Sequence, residues 1–201
     1  MNDKKNEQDV TQTQTIFRLE DDFSLIKDFL EGNEQSFVKL VNRHKDKVRN
    51  LIYLTLGNNY QVEDIAQDVF ITVYRKLSQF NFNAQFSTWL YRITINKCKD
   101  HLRRAKLRSI FSPFESAEDE KYVEKHDTDE FEVKQIINDA IAQLPEKLRI
   151  PLVLRDIEGM SYQEIGDSLG FEQGTVKSRI FRAREHLRVL LEPYRKDLFN
   201  E

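Results

Sequence analysis

The stretch Ser161-Tyr162-Gln163-Glu164-Ile165-Gly166-Asp167-Ser168-Leu169-Gly170-Phe171-Glu172-Gln173-Gly174-Thr175-Val176-Lys177-Ser178-Arg179-Ile180-Phe181-Arg182-Ala183 decides how this chain is read. Ser161 and Glu164 form a capping box: the hydroxyl caps the first turn while the carboxylate reaches back. The short helix they start ends at Gly170. A longer helix is predicted from about Thr175 to Leu191, with Val176, Ile180, Ala183, Leu187 and Leu190 on one face. A short capped helix, a glycine turn and a longer basic helix make the helix-turn-helix pattern. At 100° per residue around Val176, the residues Lys177, Ser178, Phe181, Arg182, Glu185 and Arg188 lie on the far side. Phe181 falls about 140° from the apolar stripe, where it has no core role in its own helix. It could cover thymine methyls or sugars in a major groove, with Arg182 and Lys177 reaching bases or phosphates. The competing account packs Phe181 on another helix and leaves the arginines solvated.

Upstream of this motif, Val133, Ile136, Ile137, Ala140, Ile141 and Leu144 recur at helical spacing. Pro145 starts a further helix carrying Leu148, Leu152 and Arg155, and Gly159 closes it. These segments make one unit over 132–195, followed by a short tail, 196–201. Between 109 and 131 periodicity disappears. Glu115, Glu118, Asp119, Glu120, Glu124, Asp127, Asp129 and Glu130 are opposed there only by Lys121 and Lys125, which reads as a solvated, flexible acidic linker.

Earlier still, a second helical unit is predicted over 21–108. Phe23, Ile26, Phe29 and Leu30 form a short stripe, and Phe37, Leu40, Val41, His44, Val48, Leu51 and Ile52 a longer one that stops at Gly57-Asn58-Asn59. Val62, Ile65, Ala66, Val69, Val73 and Leu77 make a third. A loop rich in Asn and Phe follows, Ser78 to Gln85, then a helix from about Phe86 to Lys106. That helix carries two stripes. Tyr91, Ile95, Cys98 and Leu102 read as core, and Arg92, Asn96, Lys99 and Arg103 as a basic ridge suited to tracking phosphates. Phe80, Phe82, Phe86 and Trp89 stand just before it. Aromatics beside a basic ridge suit unstacked single-stranded bases, and Asn96 could hydrogen-bond an exposed base edge. The plainer account has Trp89, Leu90 and Ile93 completing the core.

Composition agrees with an all-α protein of two small helical domains. The 201 residues are 39% hydrophobic and 32% charged, with only 6 Gly and 4 Pro. Net charge is −3, so the basic surfaces are local rather than global. The single cysteine, Cys98, permits neither an internal disulfide nor a cysteine-rich zinc site, and on a core stripe it reads as buried and inert. Residues 1–20 are polar, lack a signal-peptide core and read as a disordered tail. No run of about 18 apolar residues occurs, so the expected location is cytoplasmic. Asp64 and Asp68 share a helix face, with His44 and Glu63 as further candidates by type alone. A docking or solvated face is the better account than a metal or acid/base site, and His44 reads as a core histidine. No catalytic constellation, cofactor fingerprint or metal-ligand set appears.

Taken together, these motifs resemble a known family. Ser87-Thr88-Trp89-Leu90-Tyr91-Arg92-Ile93 with Asn96, Asp100 and Arg103-Arg104 is similar to the promoter-melting segment of extracytoplasmic-function sigma factors. Val62-Glu63-Asp64-Ile65-Ala66-Gln67-Asp68-Val69-Phe70 resembles the family's polymerase-docking helix. Leu144-Pro145 with Arg149, Gly159 through Gly166 and Gly174 through Arg184 resemble its C-terminal domain. The resemblance covers about 21–192 and implies a sigma-2-type helical bundle and a sigma-4-type helix-turn-helix domain on a flexible acidic linker. It implies binding to core RNA polymerase, at clamp and flap, with Asp64, Gln67, Asp68, Phe70 and Tyr74 on the clamp. It implies reading of a melted −10 element by Phe80, Phe82, Phe86, Trp89, Arg92, Asn96, Lys99 and Arg103. It assigns the −35 duplex to Thr175, Lys177, Ser178, Arg179, Phe181 and Arg182. The linker would thread into the polymerase near the template strand. An anti-sigma factor, often membrane-anchored, is the further partner implied, with no small-molecule substrate. The rival accounts are a stand-alone helix-turn-helix regulator and a helical protein-binding adaptor. A simple regulator does not need Phe80, Phe82, Trp89 and the 62–74 helix, and an adaptor has no reason to carry the Arg92–Arg103 ridge and Phe181 together.

Overall fold

The computed structural model describes residues 21–57, 61–111 and 129–195, and the described residues are helical with connecting turns. The expected tails 1–20 and 196–201, the centre of the linker and the Asn58-Asn59 turn lie outside them.

The first helix, α1 (Asp22–Leu30), begins where Asp21 accepts a 2.7 Å hydrogen bond from the Ser24 amide. It buries Leu25 and Ile26 against α2 (Glu34–Leu56). The long stripe read in the sequence faces inward along α2, with Leu40, His44, Val48, Leu51 and Ile52 all buried. Gly57, at φ 84°, stops the helix in a backbone conformation that suits a residue without Cβ. Helix α3 (Val62–Lys76) and a 3₁₀ turn (Leu77–Gln79) follow, then α4 (Phe86–Phe111). Helices α2, α3 and α4 pack on one another.

The second unit opens with α5 (Asp129–Gln143) and α6 (Glu146–Leu152). Thus α4 and α5 each run three residues into the stretch expected to be linker. Pro151 lies inside α6, where it has no amide to donate and its ring crowds the preceding turn. The ladder then widens into a π-helical turn, Val153–Ile157, in which the Glu158 amide reaches back to the Val153 carbonyl at 3.1 Å. Arg155 braces the exit by donating to the Met160 carbonyl at 2.7 Å. Buried Arg149 donates to the Ala142 carbonyl at 2.8 Å and ties α6 to α5.

Helix α7 (Tyr162–Leu169) carries the capping box in full. Ser161 Oγ accepts from the Glu164 amide at 3.2 Å, and Glu164 Oε2 accepts from the Ser161 amide at 2.8 Å. Gly170 adopts the left-handed conformation, φ 73°, and turns the chain toward α8 (Gln173–Leu191). Gly166 is needed for closeness: a Cβ there would stand 2.6 Å from the Phe171 carbonyl oxygen.

The sequence leads one to expect two cores on a tether. In the structure the buried residues of both units form one contiguous cluster, and α2 and α4 lie against α5, α6 and α7.

Candidate nucleic-acid interface

Helix α8 is anchored by Val176, Ile180 and Ala183, all buried. A bidentate ion pair adds to this. Arg184 Nε and Nη2 donate to the Asp156 carboxylate at 3.0 and 2.6 Å, which locks α8 to the π-helical turn. The opposite face is open. Thr175, Lys177, Ser178 and Arg182 are exposed, and Phe181 is 67% exposed. Arg179 is partly buried, with its guanidinium 3.9 Å from the centre of the Phe171 ring. The Lys177 ammonium lies 5.6 Å from the Tyr162 ring, whose other neighbour is Arg155 at 4.7 Å. The face therefore presents hydroxyls, cations and one solvent-facing phenyl on a rigid support, the donor set and apolar patch a major groove accepts.

Helix α4 exposes Arg92, Asn96 and Arg103, with Arg103 donating to Asp100 at 2.8 Å. Lys99 is the exception on this ridge. Helical period places it beside Arg92, but the second unit packs at that level of the helix. Lys99 lines a cavity of about 380 Å³ between the units, together with Glu146, Ile150, Leu169, Phe171 and Arg179. Burial lowers its pKa, Glu146 opposes the shift and the Arg179 charge adds to it.

The aromatic loop differs from expectation. Phe80 is 4% and Phe86 1% exposed, and neither offers a ring face to a base. Their rings pack with Trp89 at 5.6 and 5.9 Å. Phe80 also meets Phe23 of α1 at 5.9 Å, and Phe86 meets the edge of His44 at 5.2 Å. Burial of these large rings outweighs the polar character of the loop around them. Phe82 and Trp89 are partly exposed. Phe82 alone among the described non-glycine residues has positive φ, 59°, a strained setting for a bulky side chain. Its ring is held by Phe23 at 5.5 Å, Phe80 at 5.0 Å and the Lys27 ammonium at 5.9 Å. The buried pair thus leaves Phe82 of the loop and Trp89 of α4 as the accessible aromatics.

On α3, Asp64, Gln67 and Asp68 are exposed and Phe70 is half-buried. Asp68 is 3.9 Å from Lys97, and Glu63 pairs with Arg49. Tyr74 is largely exposed and sits edge-on to Phe29 and Phe37, at 5.2 and 5.1 Å. Among the described residues no cluster of His, Cys, Asp or Glu could hold a metal ion, and no helix is long and apolar enough to cross a membrane.

Residues 40–108, which include α3 and most of α4, match the family described as Sigma-70 region 2, and residues 134–187 match Sigma-70, region 4. The RNA polymerase sigma-H factor of Pseudomonas aeruginosa is 36% identical over 87% of this chain and 95% of its own length. The chain belongs to the RNA polymerase sigma factors of the extracytoplasmic-function type. The relative named ECF RNA polymerase sigma factor SigW of Bacillus subtilis is 37% identical over 81% of this chain and 92% of its own. The ECF RNA polymerase sigma-E factor of Escherichia coli is 35% identical over 84% and 93%. Among solved structures, CnrH in complex with the cytosolic domain of CnrY is 27% identical, with a TM-score of 0.61 over 84% of this chain and 96% of that one. The sigma factor RpoE of Bartonella quintana, solved with the anti-sigma factor NepR, shares the fold at 22% identity, with a TM-score of 0.67 over 79% of this chain and 98% of that one.

In this sigma factor the region-2 domain holds α3 and α4, and the region-4 domain holds the helix-turn-helix. Sequence reasoning singled out most of the exposed polar positions because helical period predicts which way they face. It missed Phe23 and Lys27, which hold the aromatic loop from a different helix. It also missed the partners of Tyr91. Tyr91 is buried as its stripe predicts, yet its hydroxyl hydrogen-bonds Glu158 of the other domain, and burial together with that carboxylate raises its pKa. Cys98 is buried and its thiol is pushed up to about 12 by desolvation, consistent with an inert core position. His44 is a core histidine with one satisfied nitrogen: Nε2 is 2.9 Å from Asp22 Oδ2, while Nδ1 is buried without a partner.

Proposed function

We propose that this sigma factor directs core RNA polymerase to promoters by dividing the reading between two helices. Exposed Thr175, Lys177, Ser178, Phe181 and Arg182 of α8 read the −35 duplex, with Arg179 completing the set once Phe171 releases it. Arg92, Asn96 and Arg103 of α4, with Phe82 and Trp89 beside them, take the melted −10 strand. Phe80 and Phe86 act as supports, and Lys99 joins the basic ridge when the domains part. The observation that carries this reading is Phe181, 67% exposed on a helix whose other face is anchored by buried Val176, Ile180 and Ala183. A phenyl ring held in water between Ser178 and Arg182, on the face that also presents Lys177, is placed where it could cover thymine methyls or sugars.

Polymerase docking falls to α3. Asp64, Gln67 and Asp68 provide an acidic, hydrogen-bonding row, flanked by Phe70 and Tyr74. An anti-sigma factor is the third partner, as for the Bartonella quintana relative's fold. Binding energy alone explains the activity. Two weak contacts held at a fixed spacing by the polymerase act as one strong contact.

The deciding experiment is run-off transcription with bacterial core polymerase on fragmented genomic DNA, with and without the protein. Transcripts that share paired upstream elements at fixed spacing, and that require the protein, are expected. No added transcripts, with tight binding of the free protein to a duplex palindrome, would favour the stand-alone regulator. Asn96→Ala is expected to impair strand opening more than closed-complex binding, which permanganate footprinting separates from gel-shift affinity. Equal loss at both steps would make Asn96 structural.

A further inference from the structure

Phe82 stands out in the loop that leads into α4. Its φ of 59° lies in the left-handed region, and a bulky residue keeps such a backbone only where its surroundings over-determine it. The loop itself supplies one bond across Phe82, from the Asn83 amide to Asn81 Oδ1 at 3.2 Å. A second hold comes from α1. Phe23 meets the Phe82 ring edge-on, with centroids 5.5 Å apart and an interplanar angle of 82°. The Lys27 ammonium stands 5.9 Å from the centre of the same ring. Phe23 and Lys27 are one turn apart, so a single face of α1 grips the ring.

Helix α1 is in turn pinned where it starts. Asp22 accepts from Arg43 Nη1 at 2.8 Å and lies 2.9 Å from His44 Nε2, while Leu25 and Ile26 are fully buried. The His44 ring meets Phe86 edge-on at 5.2 Å, and Phe86 meets Phe80 at 5.8 Å. The loop is therefore held at two points. Phe80 rests on the core, and Phe82 is tied to α1.

This hold fixes the path of the backbone around Phe82. Asn81 and Asn83 flank it, both exposed, and their amides can donate and accept at a base edge. Rotation of Phe82 into the extended region that a phenylalanine ordinarily adopts would swing Asn81 relative to Asn83, and the loop relative to Asn96 on α4. A helix outside the −10 reading set thus decides how the loop is presented.

We propose that Phe23 and Lys27 are positioning residues that set −10 base selection: by gripping the Phe82 ring they hold Asn81 and Asn83 in the arrangement that meets the melted strand. Its consequence rests on the −10 reading, whereas the grip itself is measured on the full-length protein alone. A Phe23→Leu/Lys27→Gln variant removes the ring and the cation while keeping an apolar residue on α1. Chymotrypsin nicking after Phe82, located by mass spectrometry, is expected to rise about two- to tenfold, the range for losing one aromatic pair. Nicking within α2 should stay unchanged. Phe23→Tyr/Lys27→Arg, which keeps a ring and a cation, should behave as the wild type. Holoenzyme is then run on a promoter library randomised at both elements. The Phe23→Leu/Lys27→Gln variant should lose about two- to tenfold of −10 discrimination and keep its −35 preference. In a Phe82→Gly background, where the left-handed backbone needs no grip, the same pair of changes should have no further effect on −10 choice. Unchanged nicking at Phe82 would overturn the grip, as would a rise matched within α2, which marks global loosening. A freed loop with unaltered −10 preference, or equal loss at both elements, would overturn the positioning role. Absence of promoter-specific transcripts with the wild type strikes the sigma-factor reading instead, and nicking alone then decides whether α1 holds the loop.

Discussion

The two reading helices are built differently. On α8 the residues proposed to read DNA belong to the helix surface, and a buried stripe plus the Arg184–Asp156 pair hold that surface in place. On α4 the polar residues proposed to read are likewise on the helix surface, but of the four aromatics proposed beside them Phe80 and Phe82 come from the preceding loop, Phe86 and Trp89 from the first turn of the helix, and half of the four are core. A loop has no period, so the directions of Phe80 and Phe82 are decided by what they can bury against, whereas Phe86 opens α4 one turn before buried Leu90. Phe80 and Phe86 find α1, His44 and Trp89, and Phe82 remains at the surface in a strained conformation. The proposed −35 face thus consists of side chains that one helix points outward, and the proposed −10 face adds to such side chains the aromatics that the core leaves at the surface.

Phe86→Ala should have the largest effect, costing about 3–5 kcal/mol of stability for a buried phenyl. Urea unfolding of the full chain measures it. Unchanged stability with impaired promoter opening would return Phe86 to the reading set and erase the contrast between the helices. Gly166→Ala comes next, at about 1–3 kcal/mol, because the new methyl meets the Phe171 carbonyl oxygen, which has little room to yield. Thermal unfolding checks it, and a neutral result would mean the helix-turn-helix relaxes more readily than its packing implies. Arg182→Ala should leave folding intact and weaken −35 recognition by about 1–3 kcal/mol if its contact to a base is bidentate. Promoter preference measured on a −35 library tests this, and an unchanged preference would remove Arg182 from the reading set.

The smallest effect concerns the seam between the two domains. Burial raises the Glu158 pKa above its ordinary 4.5, with the Tyr91 hydrogen bond and the Lys47 charge opposing the shift. A carboxyl raised where the domains pack favours that closed form when protonated. Its contribution is fully present below about pH 4.5 and is lost as pH rises through the raised value. Small-angle X-ray scattering at neutral pH and near pH 5 should show the closed form strengthened by acid, and Glu158→Met should abolish that dependence. A closed form that loosens on acidification would mean that other carboxylates dominate the seam.

How much was legible in advance follows from the range of the forces involved. The capping box, the glycine turn, the apolar stripes and the solvent side of α8 are local, set by 100° per residue and by hydrogen bonds within a turn or two. They could be read directly from Ser161, Glu164, Gly170 and the spacing of Val176, Ile180 and Ala183. The basic ridge was legible for the same reason, except at Lys99. Its angle on α4 is ordinary, and only the neighbouring domain removes it from solvent.

What the sequence by itself determined is therefore a helical fold of two domains in a recognisable order, with the polar residues proposed to read DNA on named helix faces. Only the tertiary structure decided that Phe80 and Phe86 are buried, that Phe82 is strained against Phe23, and that Thr88, Tyr91, Glu158 and Glu164 meet between the two domains. The physical reason is that each of these depends on contacts between residues far apart in the chain. Thr88 and Glu164 are 76 positions apart, a separation at which no local periodicity survives.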